Sequence, residues 1–300
     1  MRTLLRWVGM AMAVLLMLTG VAAAYVWWAS ERGLNKVFPV PAAPVSLVVP
    51  TDAASIDRGK HLFHTVSACA LCHSADGGGK LYEDAGAIGV IAGPNLTRGR
   101  GGVAATLNDA DWDRAIRHGV KPDGRSMLVM PSEVFANLSD EDTGALIAYL
   151  KQLPAVDREV PPSQLRWFGR ALFVAGRMQI QVAPKTTDTH RVPMGREATA
   201  EQGRYLANVS GCHGCHGYGL SGGKVAGPPN LPPASNLTPA GLIGYEEPDF
   251  VRAIRTGQRP DGSRLNDFMP WRSYQQMTDG ELHALWLYLR SVPPRASGNK

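Results

Sequence analysis

Only four cysteines occur in 300 residues, at positions 69, 72, 212 and 215, and their pairing as two C-x-x-C strings leaves no thiol over for a structural disulfide. No strand pattern precedes or follows either pair, which removes the βαβ setting of a redox-active C-x-x-C. A concentrated basic patch is missing too. Lysines and arginines neither cluster nor interleave with aromatics in a recognisable module, so nucleic-acid binding finds no support. The formal net charge of +5 is also uneven: −3 over 51–153 (10 − 13) and +2 over 200–300 (10 − 8), with +3 over each of 1–50 and 154–199. Opposite signs on two parts of one chain could steer different partners to each. Apolar residues make up 44% of the chain, enough to bury two cores of ordinary domain size.

Each cysteine pair is followed at once by histidine: Cys69-Ala70-Leu71-Cys72-His73 and Cys212-His213-Gly214-Cys215-His216. C-x-x-C-H is the sequence form of c-type haem attachment, in which both thiols bond the porphyrin vinyl groups and the histidine becomes an axial ligand of iron. The alternative is a single zinc ion held by four thiolates from the two pairs, with the histidines coincidental. The residues downstream of each motif favour haem.

The chain repeats itself. "DWDRAIRHGVKPDGRSMLVMP" from Asp111 to Pro131 matches "DFVRAIRTGQRPDGSRLNDFMP" from Asp249 to Pro270, with one residue inserted just before the second Met-Pro. "LSDEDTGALIAYLKQLP" from Leu138 matches "MTDGELHALWLYLRSVP" from Met277, "RGKHLF" from Arg58 corresponds to "QGRYLA" from Gln202, and "NLT" occurs at Asn95 and Asn236. Each half thus carries one attachment motif and one Met-Pro. Haem iron held by histidine on one face commonly takes a methionine sulfur on the other, which raises its reduction potential. His73 pairs with Met130 on this reading, and His216 with Met269. Met127 competes with Met130 but has neither the repeat partner nor the following proline. His61, His64, His118, His190, His213 and His283 lack duplicated placement and are not assigned to iron.

Helical signals fill both halves. "SDED" from Ser139 and "TDGE" from Thr278 read as capping boxes ahead of apolar residues at helical spacing, Leu146, Ile147, Leu150 and Leu282, Leu285, Trp286, Leu289. Both helices are expected to stop at or just before Pro154 and Pro293. Shorter stripes run through Trp112, Ala115, Ile116 and through Phe250, Ala253, Ile254, the second primed by Pro248. Gly59 and Gly203 sit on the opening helices, where a missing side chain lets another helix cross closely, with Tyr149 and Tyr288 as contacts.

Trp7 to Trp28 is a 22-residue run interrupted only by glycines and Thr19, preceded by Arg2 and Arg6. That length spans a hydrocarbon core, and the arginines predict an inside N-terminus with the rest exported. A cleaved signal peptide is the other reading, since "VAAAY" from Val21 offers small residues to a peptidase. The length of the run and the pair Trp27 and Trp28 favour an uncleaved anchor. "FPVPAAPVSLVVP" from Phe38 reads as a stiff tether holding both halves of the repeat off the bilayer. "SQLRWFGRALFVAGRMQI" from Ser163 is apolar enough for a helix, expected to pack between the two halves. The sharper alternative is an amphipathic helix lying on lipid, with Arg166, Arg170 and Arg177 beside Trp167 and Phe168.

These residues resemble the mono-haem class I cytochrome c module in tandem, over about 52–154 and 198–294. "NLTPAGLIGYEEPDFVRAIRTGQRPDGSRLNDFMPW" is similar to modules in the cytochrome c subunits of membrane-bound bacterial sugar and alcohol dehydrogenases. The resemblance implies an all-α fold: two tandem cytochrome c domains after an N-terminal transmembrane helix (1–30), a Pro-rich tether (31–51), a connecting segment (155–197) and a short tail (295–300). It implies two covalently bound haem c groups, on Cys69, Cys72 and His73 and on Cys212, Cys215 and His216. In that family a proline carbonyl accepts the axial histidine's ring proton. Pro94 fits that place, whereas the second half offers Pro228, Pro229 or Ser235. The function implied is single-electron transfer on the periplasmic face of the bacterial cytoplasmic membrane. The donor would be a dehydrogenase or quinol-oxidising complex and the acceptor a downstream cytochrome or terminal oxidase, with no catalysis by the chain itself. A catalytic dihaem peroxidase needs an open iron position, which Met130 and Met269 argue against. An obligate subunit of an alcohol or sugar dehydrogenase is the third reading.

Overall fold

A computed structural model describes residues 1–39, 47–183, 195, 197–225 and 231–298. His190, Pro228 and Pro229 lie outside them. In the first half, α2 (Ala53–His61) runs on through a π-helical turn (Leu62–Val66) into α3 (Ala70–His73), the C-x-x-C-H turn. After α4 (Asp109–Asp113), a second π-helical turn (Arg114–His118) and α5 (Ser132–Phe135), the half closes with α6 (Asp140–Gln152). In the second half α8 (Ala200–Val209), α9 (Cys212–His216), α10 (Glu247–Thr256), α11 (Trp271–Tyr274) and α12 (Asp279–Ser291) follow the same order.

Capping explains where these helices begin. Asp52 and Thr199 accept the backbone N–H of Ser55 and Gln202 and start the opening helices, while Ser139 and Thr278 accept those of Asp142 and Glu281 and start the closing ones. Thr278 and Glu281 complete a reciprocal box as expected. Ser139 does not, because the carboxylate of Asp142 turns instead to Arg58 and Tyr205. Both closing helices end two residues before their prolines.

The opening and closing helices of each half cross at a glycine. A Cβ on Gly59 would lie 2.0 Å from the carbonyl oxygen of Ala145, and one on Gly203 would lie 1.9 Å from that of Ala284. The Cβ atoms of Tyr149 and Tyr288 flank these contacts at 2.8 and 2.7 Å. Only hydrogen at these positions lets the backbones approach so closely. Arg117, almost wholly buried, bonds Asp113 and also Asp140 at the start of α6, and Arg255 makes the matching bond to Asp279 at the start of α12.

The halves are joined by contacts that come in exchanged pairs. α5 packs on α8 of the other half, and α11 packs on the Leu62–Val66 turn. His61 Nε2 bonds Glu281 at 2.8 Å, while Tyr205, its counterpart in the repeat, donates its hydroxyl to Asp142, the counterpart of Glu281, at 2.7 Å. One apolar core, including Leu62, Phe63, Phe135, Leu206, Tyr274 and Met277, runs through both halves.

Three expectations need correcting. The fold is helix-rich but not all-α: β1 (Lys80–Asp84), β2 (Gly89–Gly93) and β3 (Gln164–Leu165) form an antiparallel sheet in that order. Strands of five residues or fewer show no usable periodicity, and the β2–β3 pairing joins positions more than 70 apart in sequence. The connecting segment does contain a helix, α7 (Trp167–Val174), but it packs on the N-terminal helix, β2 and β3 rather than between the halves. That N-terminal helix, α1 (Arg2–Leu34), is long and apolar enough to cross a membrane. The chain around its end is no free tether: Ser30 near the end of α1 is fully buried, and beyond the helix Val37 bridges to Arg125 and the Phe38 N–H donates to Gly124 O. Residues 40–46 of the expected tether lie outside the described residues.

Candidate haem-binding sites

Each C-x-x-C-H string occupies a single helical turn held between two residues of positive φ. Ala68 (φ 50°) and Ser74 (φ 64°) bracket the first, Gly211 (φ 73°) and Gly217 (φ 77°) the second. A turn of α-helix places residues three apart on one face, so Cys69 and Cys72 share a side, as do Cys212 and Cys215. None of the four is in a disulfide. Cys69 and Cys212 pack against the apolar core, and burial pushes both thiols up to about 12. An activated redox pair needs the opposite shift. Among the described residues no group of three or more His, Cys, Asp and Glu is gathered closely enough to hold a metal ion. The two cysteine pairs therefore do not form the four-thiolate zinc site.

The histidines that close the motifs are oriented by backbone carbonyls. His73 Nδ1 lies 3.0 Å from the carbonyl oxygen of Pro94, and His216 Nδ1 lies 2.7 Å from that of Ser235. A carbonyl oxygen only accepts, so Nδ1 carries the proton in both rings and Nε2 carries the lone pair. That is the tautomer a metal-ligating imidazole uses. Burial lowers the pKa of His73 below the ordinary value, against the opposing pull of the Pro94 bond. The ring is thus kept neutral.

Both carbonyls are placed by the Asn-Leu-Thr repeat. Asn95 Oδ1 accepts from the N–H and hydroxyl of Thr97, and its Nδ2 donates to Val156 O beyond the closing helix. Asn236 does the same with Thr238 and Arg295 O. Pro94 and Ser235 each directly precede that asparagine. Sequence reasoning left Ser235 among three candidates, although the residue before "NLT" was the signal that singles it out.

Met130 and Met269 are partly buried against the same core as Cys69 and Cys212, each leading through its proline into a short helix. The first half is one residue shorter just before its methionine, and there Val129 takes φ 69°. The indole N–H of Trp271, two residues past Met269, is buried without a protein acceptor, as is that of Trp112. Such donors suit a group carrying carboxylates, as haem does through its propionates. Several of the other histidines have partners elsewhere: His61 on Glu281, His64 on the Tyr149 hydroxyl, His213 on Gly217 O and His283 on Glu247.

The family model for cytochrome c matches residues 56–154. A diheme cytochrome c-type protein of Cereibacter sphaeroides is 30% identical over 304 residues, covering 90% of this chain and 96% of that one. The chain belongs to the cytochrome c family. This cytochrome is also 28% identical to the cytochrome c subunit of a quinone alcohol dehydrogenase from Gluconacetobacter polyoxogenes, over 81% of its own length and 57% of the relative's. It is 26% identical to the fructose dehydrogenase cytochrome subunit of Gluconobacter japonicus, over 84% and 56%. The cytochrome therefore spans just over half the length of these dehydrogenase subunits. It carries the family's covalent haem c chemistry in a helix-rich chain with an apolar N-terminal helix.

Proposed function

We propose that this chain is a membrane-anchored dihaem cytochrome c that passes single electrons from a dehydrogenase or quinol-oxidising donor to a downstream cytochrome or oxidase. In this reading Cys69 and Cys72 bond one porphyrin and Cys212 and Cys215 the other, within domains at 52–154 and 198–294. His73 with Met130, and His216 with Met269, would hold the two irons. The observation that carries the reading is the doubled imidazole placement, Nδ1 on a backbone carbonyl behind two thiols on one helical turn, in both halves.

The bound haem supplies an iron that accepts and releases one electron. The chain's own residues do the rest. Pro94 and Ser235 orient the imidazoles, the methionine sulfurs favour the reduced state, and the shared apolar core excludes water. A dihaem peroxidase would need an iron with a free ligand position, whereas each half of this chain would offer its iron both an imidazole and a methionine sulfur, which favours an electron carrier. The dehydrogenase relatives favour a second reading, in which the carrier is the cytochrome subunit of such a complex on the periplasmic face.

The test is the intact mass of denatured protein made in a host competent in cytochrome c maturation. Two haem increments are expected, falling to one in Cys212→Ala/Cys215→Ala. An unmodified chain refutes the reading. Native purification from membranes then identifies whether a dehydrogenase accompanies it.

A further inference from the structure

We propose that α7 is a second membrane contact, lying at the headgroup boundary beside α1 and seating the first half directly on the lipid surface. The inference rests on the reading of α1 as a membrane anchor. It begins with an exposed aromatic pair: Trp167 and Phe168 are 72% and 42% exposed, with ring centroids 5.5 Å apart. A surface Trp-Phe pair is an apolar liability in water and a normal constituent of an interfacial belt.

The contacts between α7 and α1 set its depth. Arg170 lies over the Trp27 ring at 4.1 Å and bonds Ser30 Oγ at 3.0 Å and Glu31 at 2.7 Å, whereas Phe173, three residues on, packs on Gly33. Rising numbers in α7 therefore match rising numbers in α1. Three residues of helix rise about 4.5 Å. The turn from Arg170 down to Trp167 thus leads toward the membrane side of Ser30, to the level of Trp27 and Trp28. Those two residues end the apolar run and are themselves 60% and 57% exposed. The two aromatic pairs stand at one depth.

The two arginines at the start of α7 are already paired, Arg170 with Glu31 and Arg166 with Asp84 at the end of β1, and Arg32 of α1 lies over the Trp28 ring at 5.7 Å. The contact is therefore apolar rather than an attraction to anionic lipid. Gly169 seals the arrangement on the protein side, where a Cβ would lie 2.0 Å from Ile88 O, so α7 cannot turn Trp167 inward without unpacking from the sheet.

The test uses the full, haem-loaded chain in lipid nanodiscs with single cysteines introduced by Trp167→Cys, Phe168→Cys, Leu15→Cys on α1, and Ile243→Cys on the exposed second half. Each is treated with a charged, membrane-impermeant maleimide and separately with a lipid-soluble one. Positions 167 and 168 are expected to react at least about tenfold more slowly than position 243 with the charged reagent, yet readily with the lipid-soluble one. If they react as fast as 243 while position 15 is protected, the inference fails and the anchor stands. If position 15 also reacts fast, the anchor reading fails and takes the inference with it. Protection of 167 and 168 from both reagents means that protein covers them, which also overturns the proposal.

Discussion

Ser74 shows how much a single backbone angle matters at these sites. It holds φ 64°, ψ 160°, the same conformation as Gly217 after the second motif, in a region that only glycine enters without strain. Its hydroxyl bonds Gly79 O at 3.1 Å, which recovers part of the cost. Ser74→Gly is expected to raise stability by about 1 kcal/mol, read from the denaturant midpoint of the haem-loaded protein. A drop in that midpoint would show that the hydroxyl bond outweighs the strain. At the methionines the expected effect is electronic rather than structural. If these methionines hold the irons as proposed, Met130→Leu and Met269→Leu should each lower one of two potentials, by a fraction of the roughly 0.8 V that axial ligands command. A redox titration resolves which wave moves, and an unshifted pair of potentials counts against thioether ligation.

Helix crossings carry the next level of organisation. α2 meets α6, and α8 meets α12, with backbone against backbone, so a methyl group at the crossing has nowhere to go. Gly59→Ala or Gly203→Ala is expected to cost about 2–3 kcal/mol, because an interior carbonyl and a tyrosine stem must both be displaced. Gly280 is the control, on the exposed start of α12. There a Cβ meets nothing nearer than Thr278 Oγ1 at 4.0 Å, and alanine should instead add a few tenths of a kcal/mol through helix propensity. Little or no loss at Gly59 and Gly203 would show that the crossings tolerate the added methyl.

Across the molecule, the two halves are locked by one ionic cluster. Arg58 bonds Asp142 in its own half and Glu281 in the other, and His61 bonds the second Glu281 oxygen. Burial alone would raise the Glu281 pKa, but the bonds from His61, the Thr278 N–H and Arg58 hold it at about 2, against an ordinary value of 4.5. Folding therefore favours the ionised carboxylate. Its stabilisation is complete above pH 4.5 and is lost as pH falls from there to about 2, a difference on the order of 2–3 kcal/mol. Glu281→Gln should flatten stability over that window, which acid-unfolding curves of the two proteins would show. Arg58→Ala leaves the buried Asp142 carboxylate without its cation and Glu281 with His61 alone, and is expected to cost about 3 kcal/mol.

Local chemistry made much of this legible from the chain alone. Two C-x-x-C-H strings, two Met-Pro pairs, the capping residues Ser139 and Thr278 and the crossing glycines all act within a few residues or on one helix face, so pattern suffices to find them. The duplicated order supplied the rest of each half. Contacts between distant segments were a different matter. The repeated "NLT" marks Ser235 in the sequence, but its carbonyl is held toward His216 by the tie of Asn236 to Arg295, and β3 exists because residues 164–165 meet a strand formed by 89–93. The exchanged bonds of His61 and Tyr205, and the docking of α7 on α1, depend on surfaces that come together after the helices have formed. A linear pattern encodes which face of an element is apolar. Which other face will cover it is settled by packing in three dimensions.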